Sequence, residues 1–403
     1  MDWKASHRQY RRQVTKPVLA LNAGSASLKF GLFDGRHGGQ EPAPLATGSA
    51  YSEGEGFRFR AIAADGSLFA DDLLAAKGQP DLVRRVLGWI EERFRGDQLA
   101  AVGHRIVHGG GRFADPVLVD DEVLQELEAL VPLAPLHQPL GLAPIKLIRE
   151  LRPELAQVAC FDTAFHRTMC PPASRYALPR DLEAQGIRRH GFHGLSYESI
   201  ALQLAAEGAG PDERIIVAHL GSGASLCAME GLRSVDTTMG FSTLDGLVMG
   251  TRPGSLDPGI LFYLMKQRGM SAEQLEHLLY RRSGLLGVSG ISSDVATLLA
   301  SGAAAASDAL DLFAFQVARH TAALAATLRG LDRFIFAGGI GEHSPTMRRL
   351  IVDRLEWLGA EIDHQANESA AVRISTSRSS VLLERRPTQE ELAISRKCLA
   401  FIQ

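Results

Sequence analysis

The sequence has few cysteines and no long apolar run. Cys160, Cys170, Cys227 and Cys398 are the four cysteines among 403 residues, and they form neither a CxxC pair nor a metal-ligand spacing. Four thiols without a framework argue against a secreted disulfide scaffold and fit a reducing cytoplasm. The apolar runs all fall short of the roughly 20 residues that span a bilayer. We therefore expect a cytoplasmic protein without a membrane partner.

An excess of one charge is also missing. The chain has 43 Lys and Arg against 46 Asp and Glu, for a net charge of −3, and its cations are scattered. A nucleic-acid surface normally has a basic stripe, so no nucleic-acid partner is predicted. Residues 1–16 are basic but lack the apolar core of a signal peptide, and we expect a flexible tail there.

What is present is an alternation of strand and helix patterns. A chain of this length is too long for one compact core and suits two domains. Apolar runs predict strands, and helical spacing of apolar residues predicts helices. This alternation indicates an α/β architecture. The predicted strands are 99–107, 156–161, 215–220 and 333–337, after strand–turn–strand patterning over 17–70, and the predicted helices are 81–95, 121–131, 144–151 and 308–329.

The first strand pair, over 19–33, encloses a turn rich in small polar residues. Between Asn22 and Lys29 this turn offers an amide, hydroxyls and an ammonium group. Small side chains let backbone N–H groups approach an anion, and Lys29 can supply a countercharge. The turn therefore suits phosphate or magnesium phosphate. Taken alone it could equally be a simple connection between strands.

Two later segments, 219–225 and 338–344, repeat this arrangement after apolar strands. Ligands of open α/β sheets bind beyond the carboxyl ends of the strands. The last segment leads into a helix at about Pro345, whose N-terminus favours an anion. Neither the pattern GxxxxGK[ST] nor the fingerprint GxGxxG occurs at these strand ends. Three such loops predict a nucleotide enzyme of a class without a P-loop.

Nine segments together resemble the acetate kinase (acetokinase) family over residues 17–403. The resemblance implies two related actin-like (ribonuclease H-like) α/β domains with the active site in the cleft between them. It assigns 17–161 plus 388–403 to domain I and 162–387 to a nucleotide-binding domain II, and it also implies a homodimer. The segments, in order, are LNAGSASLKF (21–30), GHRIVHGG (103–110), APLHQP (134–139), FDTAFH (161–166), RRHGFHGLSY (188–197), HLGSGASL (219–226), MGTRPGSLDPG (249–259), AGGIGEHS (337–344) and PTQEELAI (387–394).

The activity implied by the resemblance is reversible, in-line phosphoryl transfer from ATP to a short-chain carboxylate, with Mg²⁺ as the metal and Mn²⁺ as its alternative. Acetate is the first choice of substrate, and propionate or butyrate is the alternative. Ser222, Ala296 and His343 stand where the family usually has Asn, Arg and Asn. These departures leave open a weakened ATP-binding relative or another phosphoryl donor.

Phosphoryl transfer needs positioning and charge neutralisation, for which guanidinium groups are suited. The resemblance assigns the carboxylate to Arg105, and the transferring phosphoryl group to Arg252 and His193. It makes Asp162 an essential acid, which could position Mg²⁺, hold Arg252 or transfer a proton. His104, His108, His166 and His190 are interpreted as structural. The implied substrate-binding residues are Arg105, Val107, Leu136, His137, Phe192 and Thr243, the last standing where the family usually has proline.

The remaining implied residues bind nucleotide and metal. Asn22 and Glu390 match metal-associated positions. The segment 219–223 is expected to contact phosphates, 339–343 the ribose or α-phosphate, and 294–296 the base. The implied nucleotide-binding residues are Ser25, Ser27, Lys29, His219, Leu220, Gly221, Ser222, Gly223, Asp294, Val295, Ala296, Gly339, Ile340, Gly341, Glu342 and His343.

Overall fold

Two mixed β-sheets, one in each of two units of the chain, organise the α/β fold. The computed structural model describes residues 16–24, 27–35, 41–53, 56–75, 78–94 and 99–402. Unit 1 comprises Met1–Ala164 with Gln389–Gln403, and unit 2 comprises Phe165–Thr388. These boundaries differ by a few residues from the predicted ones, and they place Asp162 in unit 1.

The unit 1 sheet combines an antiparallel meander with three parallel strands. Its strand order is β5-β4-β3-β2-β1-β6-β8-β7, and β1, β6 and β8 are parallel neighbours. The carboxyl ends of these three strands therefore meet at one edge of the sheet. The strands are β1 (Val18–Ala23), β2 (Ser27–Phe33), β3 (Pro44–Glu53), β4 (Gly56–Ala63), β5 (Leu68–Leu74), β6 (Ala101–Ile106), β7 (Val117–Leu118) and β8 (Ala156–Phe161).

Three helices follow along unit 1: α1 (Gln79–Arg93), α2 (Asp121–Ala129) and α3 (Gln138–Leu151). Helix α1 buries Trp89 against the stacked rings of Phe30 and Phe59. Helix α3 begins six residues before the predicted start at 144. Pro144 removes one backbone donor but does not end the helix, because apolar residues on both sides of it are buried.

The unit 2 sheet has the order β11-β10-β9-β12-β13, with β9, β12 and β13 parallel. Among the residues that the structure describes, no helix is long and apolar enough to cross a membrane. The elements of unit 2 are β9 (Arg214–Leu220), β10 (Ala224–Glu230), β11 (Arg233–Thr237), β12 (Arg333–Ala337), β13 (Leu382–Arg385), α4 (Arg180–Ala184), α5 (Gly194–Ala206), α6 (Pro258–Arg268), α7 (Ala272–Arg281), α8 (Gly284–Ser289), α9 (Val295–Ala300), α10 (Ala304–Leu328), α11 (Gly338–His343), α12 (Pro345–Val352) and α13 (His364–Glu368).

Helix α11 corrects the prediction of a loop over 338–344. Gly338 has a φ of +73°, and a Cβ there would lie 2.8 Å from the carbonyl oxygen of Leu220. Glycine thus permits a sharp turn against β9, after which the chain enters a short helix at once. The predicted helix at Pro345 is confirmed as α12.

The last helix, α14 (Glu390–Leu399), returns to unit 1 and packs on the sheet. A Cβ at Gly103 would lie 2.3 Å from Cys398 Sγ and 2.4 Å from Ile394 Cγ2. The close approach of this helix to β6 therefore requires glycine. It brings Glu390 to the sheet edge where β1, β6 and β8 end.

Candidate active site

Side chains from three parallel strands meet at the carboxyl edge of the unit 1 sheet. Asn22 lies near the end of β1, Arg105 near the end of β6, and Asp162 directly after β8. Arg105 donates to Asp162 Oδ2 from Nε (2.9 Å) and Nη2 (2.6 Å), and to Asn22 Oδ1 from Nη1 (3.1 Å). The structure thus gives Asp162 a partner, Arg105, that was not among the roles predicted for it.

The Arg105–Asp162 pair is largely withdrawn from solvent. The side chain of Asp162 is 2% exposed and that of Arg105 is 21% exposed. Burial lowers the pKa of Arg105, but the charges of Asp162 and Glu390 outweigh burial, so this pKa is raised above its ordinary value. The guanidinium therefore stays cationic and is held in one orientation.

Two carboxylates of α14 extend this cluster. Asn22 Nδ2 donates to Glu390 Oε2 over 2.7 Å, so the Asn22 amide bridges Arg105 and Glu390. The buried Oε1 of Glu391 has no hydrogen-bond partner among the described residues. Burial, followed by the charge of Glu390, raises the pKa of Glu391, whereas the charge of Lys29 opposes the rise.

This oxygen-rich corner suits a hard divalent cation. The described residues form no group of three or more His, Cys, Asp or Glu able to hold a metal by themselves. Mg²⁺ commonly binds through one or two carboxylates, with water and phosphate oxygens completing its shell. Glu390 and the partly unsatisfied Glu391 fit that mode. Lys29 faces solvent opposite Asn22 in the β1–β2 register, with Ser27 at the start of β2, while Ser25 lies outside the described residues.

The predicted acyl-pocket residues of unit 1 lie on two segments joined by a side chain that the sequence analysis did not single out. Gln138 is fully buried, and its amide donates to the carbonyl of His108 and accepts from the N–H of His108, both over 3.1 Å. This contact fastens the segment containing Leu136 and His137 to the one containing Val107.

In unit 2, His193 precedes α5 in a left-handed conformation with a φ of 58°. Its Nδ1 lies 2.8 Å from Ser225 Oγ, which lies 2.5 Å from the hydroxyl oxygen of Tyr197. Its ring stacks on that of His219, with centroids 4.3 Å apart, and His219 Nδ1 lies 2.7 Å from Ser196 Oγ. The imidazole orientation is therefore fixed on several sides.

Arg252 and His193 meet over the turn between β9 and β10. A Cβ at Gly223 would lie 2.8 Å from Arg252 Nη2 and 3.2 Å from His193 Nε2. Arg252 Nη1 donates to the carbonyl of Thr243 over 2.8 Å. A guanidinium and an imidazole nitrogen converging at one glycine are suited to contacting the oxygens of an anion. Phe192, adjacent to His193, is buried, and its carbonyl oxygen lies 2.9 Å from His166 Nε2.

Three of the predicted nucleotide segments lie close together at the carboxyl edge of the unit 2 sheet. The Ser222 carbonyl accepts from Gly250 N–H over 3.2 Å, and a Cβ at Gly250 would lie 3.1 Å from Ser293 O. The 219–223 segment also contacts Gly338 through Leu220, as described above. Asp294 caps α9 by accepting from Thr297 N–H over 2.8 Å, Val295 is buried, and Ala296, Gly339 and His343 are exposed.

Arg348, which the sequence analysis missed, holds α11 in place. Although 1% exposed, it donates from Nη1 to the carbonyls of Gly341 (2.9 Å) and Glu342 (3.0 Å), and from Nε to Asn367 Oδ1 (2.6 Å). Burial, with the charge of Arg385, lowers the pKa of Arg348 to about 10. An arginine within a short amphipathic helix gives no sequence signal for such a buried role.

Comparisons with known proteins agree along nearly the whole chain. A family model described as the Acetokinase family matches residues 17–396. The acetate kinase of Rhodopseudomonas palustris (strain TIE-1) is 48% identical over 384 residues, covering 94% of this chain and 96% of that protein. The acetate kinase of Methylocella silvestris is 44% identical over 403 residues, covering 96% and 98%.

Solved structures give the same result. A propionate kinase from Francisella tularensis subsp. tularensis SCHU S4 has a TM-score of 0.86 and 36% identity, covering 95% of this chain and 99% of that one. The acetate kinase of Porphyromonas gingivalis has a TM-score of 0.82 and 33% identity, covering 96% and 100%. Both support the fold described above.

Proposed function

Because this chain belongs to the acetokinase family, we propose that it is a phosphotransferase that moves the γ-phosphoryl group of ATP reversibly onto the carboxylate of acetate. The observation that carries the proposal is the convergence of Arg252 and His193 over Gly223, at the turn predicted to bind phosphates. Arg105, held in a second cluster, supplies a cation for the carboxylate.

The proposed reaction needs no general base. A carboxylate oxygen of acetate forms a bond to the γ-phosphorus, the bond from that phosphorus to the β,γ-bridging oxygen breaks, and ADP leaves. Acetate is ionised near neutral pH, so no proton has to be removed before attack. Arg252 and His193 Nε2 contact phosphoryl oxygens, where charge is redistributed in the transition state.

Arg105 can bind the substrate while it remains paired. Its Nη1 and Nη2 each carry two N–H groups, and the contacts with Asn22 and Asp162 use one on each nitrogen. In the part of the chain that the structure describes, two donors therefore remain for an acetate carboxylate. Asp162 acts in this proposal as a positioning residue for Arg105, not as a proton acceptor.

ATP use is implied by the family, and we propose Mg²⁺ as the metal. Glu390, with Glu391 beside it, would hold the ion, and Asn22 would position Glu390 through its 2.7 Å hydrogen bond. When bound, the ion supplies positive charge to the nucleotide phosphates. The homodimer that the resemblance implies and the cytoplasmic location expected from the cysteine pattern belong to the same proposal.

Propionate is the second candidate substrate, because a propionate kinase structure is similar over 95% of this chain. One methylene in an apolar pocket is worth only about 1–3 kcal/mol of discrimination. Thr243 is buried, and its carbonyl accepts a hydrogen bond from Arg252. Among the departures from the family pattern, it is the one at a predicted substrate-binding position, so it is the one expected to affect the choice between acetate and propionate.

The test is the initial rate of acyl-phosphate formation, trapped with hydroxylamine. The purified chain is supplied with ATP and Mg²⁺, together with acetate, propionate, butyrate or no carboxylate. We expect a carboxylate-dependent rate with the highest kcat/KM for acetate. A higher kcat/KM for propionate would replace the substrate, and no product from folded protein that binds ATP would refute the proposed activity.

A further inference from the structure

The two ring nitrogens of His193 have different surroundings. Nδ1 lies 2.8 Å from Ser225 Oγ, on β10. Nε2 points to the position above Gly223, where Arg252 Nη2 also lies. A neutral imidazole carries its proton on one nitrogen only, so the partner of Nδ1 decides what Nε2 can offer to a ligand.

The hydroxyl chain behind Nδ1 has a preferred direction. Ser225 Oγ stands between His193 Nδ1 and the Tyr197 hydroxyl, 2.5 Å away, and both Ser225 and Tyr197 are fully buried. A phenol is a stronger acid than an aliphatic alcohol and is therefore the better hydrogen-bond donor. If Tyr197 donates to Ser225, the single Ser225 proton is directed to Nδ1, which accepts it.

We propose that Tyr197 and Ser225 are positioning residues that hold the proton of neutral His193 on Nε2, so that His193 donates a hydrogen bond to an oxygen of the transferring phosphoryl group. The inference deepens the proposed function and rests on it. With the proton on Nδ1 instead, Nε2 would direct a lone pair at an anionic oxygen and repel it.

Helix α5 supplies the supports for both histidine rings. Ser196 and Tyr197 lie three and four residues after His193, so they project from the same side of the first turn. Tyr197 N–H also donates to the carbonyl of His193 over 3.1 Å. Tyr197 thereby positions His193 through Ser225, while Ser196 contacts His219, on which the His193 ring stacks.

The tautomer can be read without any activity. Full-length protein is labelled with ¹⁵N-histidine, and the ring-nitrogen shifts of His193 are assigned from the signals lost in His193→Gln. We expect Nε2 to be protonated and Nδ1 to be unprotonated in the wild type, and Tyr197→Phe to give a mixture of tautomers. A wild-type His193 with its proton on Nδ1 would overturn the inference.

Kinetics provide the second test. Tyr197→Phe keeps the buried ring and removes only the hydroxyl, and Ser225→Ala removes the intervening oxygen. Each is expected to lower kcat about tenfold, which corresponds to the net free energy of one hydrogen bond. The KM values for acetate and ATP should stay within about twofold of those of the wild type. Because Tyr197 and Ser225 act through the same series of hydrogen bonds to His193, kcat of the double variant should fall by no more than about tenfold in total.

Tyr51→Phe is the matched control, since Tyr51 is 40% exposed on β3, and its kcat should equal that of the wild type. Unchanged kcat in Tyr197→Phe and Ser225→Ala, or fully multiplicative losses in the double variant, would refute the positioning role. A wild type without carboxylate-dependent activity would refute the proposed function, and the NMR result alone would then decide the tautomer.

Discussion

The two clusters of predicted site residues use arginine in different ways. In unit 1, Arg105 donates to a buried carboxylate and lies near the charge of Glu390. In unit 2, the hydrogen bond found for Arg252 ends on the Thr243 carbonyl, and His193 is held by hydroxyl groups. The first cluster pairs its arginine with a carboxylate, whereas the contacts described in the second cluster are with a backbone carbonyl and a hydroxyl group, and its two cationic or polar groups converge at Gly223.

Because of this difference, substitutions in the two clusters should differ in how much they reduce stability and how much they reduce turnover. Removing one member of a buried ion pair leaves the other charge desolvated without compensation, so the folded state suffers. Removing Arg252 takes away its hydrogen bond to the Thr243 carbonyl, and a bound anion loses its countercharge. We therefore expect substitutions in unit 1 to reduce stability more, and substitutions in unit 2 to reduce kcat more.

The largest expected effect is that of Arg252→Ala. Its kcat should fall by about a thousandfold or more, because an arginine that stabilises a transferring phosphoryl group is worth about 10³–10⁵ in rate. Its thermal midpoint should stay close to that of the wild type. Steady-state kinetics with acetate and ATP provide the measurement, and Arg281→Ala, at the exposed end of α7, is the control.

Arg105→Ala completes this test, because it should act mainly by raising the KM for acetate. A near wild-type kcat in folded Arg252→Ala would break the comparison, since Arg252 would then not contact the reacting group.

The next largest effect is expected for Asp162→Ala, which strands the Arg105 guanidinium. We expect the free energy of unfolding of unit 1 to fall by about 3 kcal/mol, as for other broken buried ion pairs. Urea unfolding followed by tryptophan fluorescence can measure it, because Trp89 is buried in the unit 1 core. To limit the fluorescence signal from unit 2, the exposed Trp357, which is the tryptophan that the structure describes there, is replaced with Phe.

The double variant Asp162→Ala/Arg105→Met is the matched comparison, because it removes both charges and should recover much of the lost stability. An equal loss of stability in Arg252→Ala would show that the two clusters do not differ in the proposed way.

Local patterns in the sequence predicted much of the fold. The strand at 156–161 is confirmed as β8, and the strand at 333–337 as β12, because continuous apolar runs produce strands that are buried on both faces. The start of α3 and the helix at 338–343 were predicted wrongly. In both places proline or glycine suggested a break, and tertiary packing overrode that local preference.

The partners of the site residues were harder to predict. The family resemblance brought Arg105, Asp162 and His193 to attention, but nothing local indicated that Asp162 binds Arg105, 57 residues away. Gln138 and Arg348 act through buried hydrogen bonds to backbone atoms of other segments. Such contacts depend on register and packing, and they leave no periodic signal in the sequence.

The effect that is smallest for each unit of pH is one that the two units should share. Burial lowers the pKa of His104 in unit 1 and of His166 in unit 2 to about 4, from an ordinary value of 6.5. Between pH 6.5 and 4 the unfolded chain binds a proton at each position and the folded chain does not. Stability is therefore complete above pH 6.5 and falls as the pH drops to 4, by up to about 1.4 kcal/mol per pH unit for each histidine.

His104→Asn removes one of these titrations, so the loss of unit 1 stability between pH 6.5 and 4.5 should be shallower than in the wild type. Urea unfolding at a series of pH values, read from Trp89, provides the measurement, with exposed His364→Asn as the control. An unchanged slope in His104→Asn would mean that His104 is protonated in the folded state. Because burial lowers the pKa of both His104 and His166, acid should destabilise both units, even though their site clusters are held by different contacts.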